Sequence, residues 1–224
     1  MQIIILRSEK EAAARVADLV AEQVKKKKTS VLGLATGKTM IPIYREIARR
    51  KINFSRVKTF NLDEYAGGDS LRKFMERNFF GKVNLKEKNI FFLDGKARDW
   101  KSECSLFEGE IRRAGGIDLQ ILGVGRNGHI GFNEPGSSLK SRTRRVRLSL
   151  STRHDNGTRF GYALTMGVGT IMSARRIVLA ALGGRKAEIV GKVIDGRTGS
   201  GVPASFLRRH RRFLLVLDGA AAGE

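Results

Sequence analysis

The sequence predicts an α/β fold, a mostly parallel sheet covered by helices in one domain, and three observations predict it. Seven short apolar runs recur along the chain with helix-length segments between them. No internal repeat, low-complexity tract or linker rich in Pro or Ser divides the 224 residues. The polar motifs fall just after the apolar runs, at the strand ends where open parallel sheets bind ligands.

The elements follow in order. Gln2 to Leu6 reads as a first strand, because the run from Met1 to Leu6 has neither a basic leader segment nor a small-residue cleavage site. The alanine-rich stretch from Glu9 to Lys27 is the first helix. Strands at Ser30 to Leu34, Val57 to Leu62, Asn89 to Leu93 and Asp118 to Leu122 alternate with helices at Ile41 to Lys51, Leu71 to Phe80 and Asp99 to Ala114. A helix around Tyr162 to Ser173, a strand at Arg176 to Leu182, a helix at Lys186 to Val193 and a strand at Arg212 to Leu217 complete the pattern.

Composition excludes several classes. With 41% hydrophobic and 29% charged residues the chain has the make-up of a folded globular protein. No apolar run approaches the ~20 residues that span a bilayer, and a cytoplasmic protein with no membrane partner is expected. A single cysteine, Cys104, excludes an intrachain disulfide, and with only three histidines no metal site is expected. The net charge of +21 favours anionic partners. Its clusters at Lys25 to Lys28, Arg142 to Arg147 and Arg208 to Arg212 lie far apart and without interleaved aromatics, so they read as solvated faces. Nucleic-acid binding beyond a weak, salt-dependent kind is not expected.

The densest chemistry lies in IDLQILGVGRNGHIGFNEPG, Ile117 to Gly136. An apolar strand breaks into glycines that let the backbone turn and approach a ligand, then presents Asn127, His129 and Glu134. An imidazole titrates near neutrality and suits proton transfer, the more so beside a carboxylate. Gly123-Val-Gly-Arg-Asn-Gly128 also fits the dinucleotide pattern GxGxxG, but His-Ile-Gly-Phe-Asn-Glu-Pro follows where an apolar helix should begin. A nicotinamide cofactor is not expected in that context.

Gly33-Leu-Ala-Thr-Gly-Lys-Thr39 follows the second strand and ends where a helix starts. Free N–H groups and the helix dipole favour an anion there, at Thr36, Gly37, Lys38 and Thr39. A Walker loop requires four residues between its glycines. Here there are three between Gly33 and Gly37, so a nucleoside triphosphate is excluded. Thr59-Phe-Asn-Leu-Asp-Glu-Tyr65 closes the third strand with two adjacent carboxylates, which point to opposite faces and should have different roles. Lys186, after Gly183-Gly-Arg, opens a helix, and Arg159 is a further basic contact for an anion.

Together TFNLDEY, GVGRNGHIGFNEPGSSLKSRT, YALTMGVGTIM and GGRKAEIV resemble the glucosamine-6-phosphate deaminase family, and VPASFLRRH is similar to its closing helix. The sister 6-phosphogluconolactonases share a GHxAS-type loop but lack the FNEP continuation and the DEY strand end. The resemblance implies a modified doubly wound, Rossmann-like α/β fold with helices on both faces of the sheet. It implies conversion of glucosamine 6-phosphate and water to fructose 6-phosphate and ammonia, with no metal or organic cofactor. On this chain it implies that His129, oriented by Asn127 and Glu134, opens the sugar ring. Asp63 would carry the proton from C2 to C1, and the turn from Thr36 to Thr39, with Arg159 and Lys186, would hold the phosphate.

The chain also departs from that family. Asn127 stands where many relatives have Asp, which predicts an altered pH profile, and Lys38 replaces a small residue in the phosphate turn. The segments after Asp63-Glu-Tyr65 and between Arg159 and Tyr162 are short, so an active-site lid is trimmed and the site is expected to be more open. Val146 replaces a basic effector contact, while Ser137 and Arg144 remain, and the sequence stops at Glu224 without the extension of hexameric relatives. A monomer or small homo-oligomer without activation by an amino-sugar phosphate is expected. A sugar-phosphate lactonase or isomerase on the same scaffold, or a non-catalytic sugar-phosphate sensor, are the alternative readings.

Overall fold

The structure is a computed structural model that describes all 224 residues. Its first half repeats strand and helix: β1 (Gln2–Leu6), α1 (Glu9–Lys26), β2 (Val31–Leu34), α2 (Met40–Arg49), β3 (Lys58–Asn61), β4 (Asp63–Tyr65), α3 (Ser70–Asn78), β5 (Ile90–Phe91) and α4 (Trp100–Arg113). The second half adds β6 (Leu119–Gly123), β7 (Arg144–Arg147), α5 (Leu150–Asp155), β8 (Tyr162–Thr165), α6 (Val168–Met172), β9 (Ile177–Ala181), α7 (Ala187–Ile194), β10 (Phe213–Asp218) and α8 (Gly219–Ala222). A 3₁₀ helix, Pro203–Arg209, takes the place of the expected closing helix, and Arg208 braces it by hydrogen bonding Ile194 and Gly196 carbonyls.

Seven strands form one parallel sheet in the order β1-β10-β9-β6-β2-β3-β5. Its central strands are buried throughout, as a sheet with helices on both faces requires. The helices form for local reasons. Ser8 caps α1 through the Glu11 amide, acids occupy its first turn and lysines its last, and Ala13, Val16, Ala17 and Val20 line its buried face. Asp99 caps α4 by accepting from the Lys101 and Ser102 amides. No helix is long and apolar enough to cross a membrane.

A second, antiparallel sheet of order β4-β8-β7 stands beyond the main one. It corrects the helix expected from Tyr162 to Ser173. Tyr162–Thr165 is a strand, hydrogen-bonded to β4 on one side and β7 on the other, and only Val168–Met172 is helical. Tertiary pairing overrides the local pattern here. At Gly167, between the two, an added Cβ would lie 2.2 Å from the Ser141 carbonyl oxygen.

The same sheet absorbs the cluster expected as a solvated face at Arg142 to Arg147. Arg142 pairs with buried Glu108, which also accepts from the Thr143 amide at 2.9 Å and from the Thr170 hydroxyl at 2.5 Å. Arg144 donates to Asn133 Oδ1 at 2.9 Å, and Arg145 stacks between Trp100 and Tyr162 at 3.6 and 3.8 Å. These side chains tie the small sheet to α4 and to the histidine loop, roles that no sequence spacing announces.

Candidate active site

The chain passes from one sheet to the other at Leu62, whose amide donates to Leu34 O at 3.0 Å and whose carbonyl accepts from Met166 at 2.6 Å. This junction places Asp63 at the carboxyl end of β3, buried with 5% of its surface exposed. Burial, reinforced by the neighbouring charge of Glu64, pushes its carboxyl up to about 7, while the Thr36 hydroxyl pulls the other way. Glu64 points away, as expected for adjacent strand residues. Its carboxylate accepts from the Tyr65, Leu71 and Arg72 amides at 2.8, 3.1 and 2.8 Å and so caps the first turn of α3.

Beyond β6 the histidine loop forms a short relay. Ser149 donates to Glu134 Oε1 at 3.1 Å, Asn127 Nδ2 donates to Glu134 Oε2 at 2.7 Å, and Asn127 Oδ1 lies 2.8 Å from His129 Nδ1. An amide that gives its N–H to the carboxylate offers only oxygen to the imidazole. Nδ1 must therefore carry the proton and Nε2 the lone pair. Burial holds His129 below the ordinary imidazole range; Glu134 and Asp155 oppose this and Lys186 adds to it. The ring is neutral near pH 7 and able to take a proton at Nε2.

Two glycines make this packing possible. A Cβ on Gly125 would lie 2.2 to 2.4 Å from the His129 ring, so the imidazole rests on bare backbone. Gly131 has φ +55, and its Cβ would meet Thr165 Oγ1 at 3.0 Å and Asp63 Oδ2 at 3.4 Å. Gly131 thus brings the histidine loop against the enclosed carboxyl of Asp63.

The anion-binding residues are gathered unequally. Thr36 adjoins Asp63, Gly37 has φ +119, and Thr39 starts α2 without a side-chain cap. Lys38 is exposed. Lys186 is half-buried and donates to Val124 O at 2.9 Å, so it leans over the end of β6; burial lowers its ammonium pKa. Arg159 is exposed and its side chain makes no hydrogen bond or ion pair to these groups; its carbonyl accepts from Arg153 at 3.3 Å.

Sequence reasoning missed α5, which stands over the histidine. Thr152 Oγ1 lies 3.5 Å from His129 Nδ1, and Asp155 faces Arg126 at 4.0 Å. These residues, with Asn127, Arg185 and Glu188, line a cavity of about 430 Å³ into which His129 opens. The only sequence signal for α5 is Ser149, which caps it through the Thr152 amide at 3.1 Å. A buried carboxyl near neutrality, a tautomer-fixed imidazole and the nearby cations Arg126, Arg185 and Lys186 equip the site for proton transfer on an anionic substrate.

Known proteins are similar to this chain over nearly its whole length. Glucosamine-6-phosphate deaminase 2 of Giardia intestinalis is 45% identical over 237 aligned positions, covering 98% of this chain and 90% of its own. That alignment is longer than the 224-residue chain, so the relative carries residues that this chain lacks. The glucosamine-6-phosphate deaminase of Arthrobacter sp. (strain FB24) is 42% identical, covering 99% and 92%. Among solved structures, a monomeric glucosamine-6-phosphate deaminase superposes with a TM-score of 0.96 at 38% identity, covering 100% of this chain and 99% of its own. A 6-phosphogluconolactonase from Thermotoga maritima shares the fold, with a TM-score of 0.80 at 19% identity over 97% and 99% of the two chains. Residues 7–215 match the family of glucosamine-6-phosphate isomerases/6-phosphogluconolactonase, and with relatives at this identity over nearly its full length the chain belongs to that family.

Proposed function

We propose that this protein is a glucosamine-6-phosphate deaminase, converting glucosamine 6-phosphate and water to fructose 6-phosphate and ammonia. The observation that carries the reading is the pairing of a buried carboxyl near pH 7, Asp63, with the Nε2-basic His129 on a neighbouring loop. A lactonase has no need of an enolising base.

In this reading His129 Nε2 takes the proton of the anomeric hydroxyl and returns it to the ring oxygen, which opens the pyranose. Asp63, as carboxylate, removes the proton from C2 of the open-chain sugar and delivers it to C1 through an enolamine. The resulting C2 iminium adds water and loses ammonia, leaving the ketose. Asn127 and Glu134 hold the imidazole in register and steady its transient charge. The turn from Thr36 to Thr39 and Lys186 hold the phosphate, and anchoring that end fixes C1 and C2 against the base. Arg159 joins them only by turning inward when the anion arrives.

The reading takes residues 1–224 as one catalytic domain, which the continuous core of 52 buried residues supports. It takes the protein as a monomer, as its solved deaminase relative is. The test is a coupled assay for fructose 6-phosphate and for ammonia with purified protein. Equal release of both from glucosamine 6-phosphate is expected. No turnover, or turnover unchanged in Asp63→Asn and His129→Gln, would overturn it.

A further inference from the structure

Two of the basic clusters that lie far apart in the sequence, Lys25 to Lys28 and Arg208 to Arg212, come together at the end of the sheet opposite the active site. In a parallel sheet every strand begins at the same end, and every crossover helix finishes there. Arg211 and Arg212 lead into β10, Arg175 and Arg176 into β9, and Lys27 and Lys28 into β2. Arg56 and Lys58 lead into or open β3. Backbone hydrogen bonds bind these entries into a continuous rim: Ile177 donates to Arg212 O, Gln120 to Arg176 O, Arg175 to Ile117 O, Asp118 to Val31 O and Lys58 to Ser30 O. Five adjacent strands at ~4.8 Å spacing make this rim about 20 Å wide.

The helix ends extend it above and below the sheet. Lys25 and Lys26 end α1, Arg112 and Arg113 end α4, and Lys51 follows α2. Three carboxylates at this end are already paired, Asp118 with Lys27 and Arg175, Glu110 with Arg113, and Glu46 with Arg49, and only Asp195, which follows α7, has no ion pair. Lys28, Arg56, Arg211 and Arg212 are exposed and have no acidic partner. One basic residue in a last helical turn answers the helix dipole. Unpaired guanidinium and ammonium groups at the entries of β10, β9, β2 and β3, on either side of Asp118 at β6, exceed that need.

We infer that this rim is a docking face for nucleic acid, bound through its backbone phosphates without base readout. Guanidinium groups predominate, and their fork geometry matches phosphodiester oxygens. A lipid surface would call for apolar side chains among the cations. Of the large exposed apolar residues Met1 and Ile3 stand toward this end, on the edge strand β1 outside the basic entries; Ile5 lies further along β1, Leu106 on α4, and Leu150 and Tyr162 border the active site. The rim carries no exposed aromatic on which bases could stack, so the contact is electrostatic and independent of sequence. The docked polyanion leaves the cavity at His129 open.

The test is fluorescence anisotropy with a labelled DNA duplex of arbitrary sequence and about 30 base pairs, titrated across salt concentrations. About four to six phosphate contacts give a slope of log affinity on log salt near −4 to −5. The triple variant Lys28→Glu, Arg211→Glu, Arg212→Glu should weaken binding at least about tenfold at low salt, with the slope reduced by about 3. The same three positions changed to Gln should give an intermediate loss. An equal charge change at the other end, Lys10→Glu, Lys101→Glu, Lys140→Glu, should leave most of the affinity. Deaminase turnover should survive in all three proteins, which reports folding. Absence of duplex binding by the wild type at low salt, equal losses in the two Glu triples, or binding only to phosphatidylserine vesicles would overturn the inference.

Discussion

Asn127 Nδ2 stands 2.7 Å from Glu134 Oε2, and this one bond decides which nitrogen of His129 is basic. With its N–H committed to the carboxylate, the amide turns oxygen toward Nδ1 at 2.8 Å. The neutral amide gives orientation without adding negative charge, so burial is free to hold the imidazole pKa down.

Asn127→Asp should therefore raise the His129 pKa. His129 must be neutral to accept a proton, so on acidification the variant's ring loses its active form sooner than the wild type's. Proton NMR titration of the imidazole should show the raised midpoint, and the acid limb of kcat/KM, which also carries Asp63 at about 7, should move upward once the His129 pKa exceeds that value. An unmoved imidazole midpoint would separate Asn127 from control of His129.

Asp63 makes a pH prediction of opposite interest, because its carboxyl is higher in the folded protein, at about 7, than its ordinary 3.8. The folded state then binds the proton more tightly than the unfolded chain. Its contribution to stability is fully present below the ordinary value and is lost as pH rises through about 7. Asp63→Asn, which cannot ionise, should be more stable than the wild type at pH 8 by a few kcal/mol, and the gap should close near pH 4. Turnover should fall by about 10²-fold or more, as loss of a general base does. Urea unfolding at the two pH values, beside the coupled assay, measures both.

Glu64, one residue on, should behave in the reverse way. It accepts from the Leu71 and Arg72 amides in the first turn of α3 and from the Tyr65 amide beside it, so Glu64→Ala should cost about 2 kcal/mol or more of stability. Its charge helps to raise the Asp63 carboxyl, so the acid limb of turnover should move down while the kcat plateau is kept. A collapsed plateau in a folded variant would assign Glu64 to the chemistry.

Gly125→Ala tests the seat of the imidazole. The backbone there has no positive φ, so the added methyl acts only by pushing on the His129 ring at 2.2 to 2.4 Å. A displaced catalytic group costs about 10²-fold in kcat while the phosphate contacts that set KM persist. A KM change of the same size with kcat intact would place the ring in binding.

Much of the site was legible in the sequence because it lies at strand ends, where a short polar motif can be read in place. The Asn127, His129 and Glu134 loop and the opposed roles of Asp63 and Glu64 are of this kind. The relay's partners Ser149 and Thr152 were not legible, since α5 is too short to show a helical period. Tyr162–Thr165 misled because a buried four-residue strand and a helical turn look alike until the neighbours β4 and β7 are known.

The sequence by itself determined the alternating strands and helices, the family, and the residues proposed for proton transfer, because periodicity and local motifs are written within a few turns of chain. Tertiary structure alone decided what lies between. It put Asp63 out of water and against Gly131, which raises its pKa, and it folded Arg142 to Arg147 into a second sheet. It also drew Lys25 to Lys28 and Arg208 to Arg212 to one end of the molecule. Burial, charge proximity and surface continuity depend on distances through space, and strand order sets those distances while sequence separation does not.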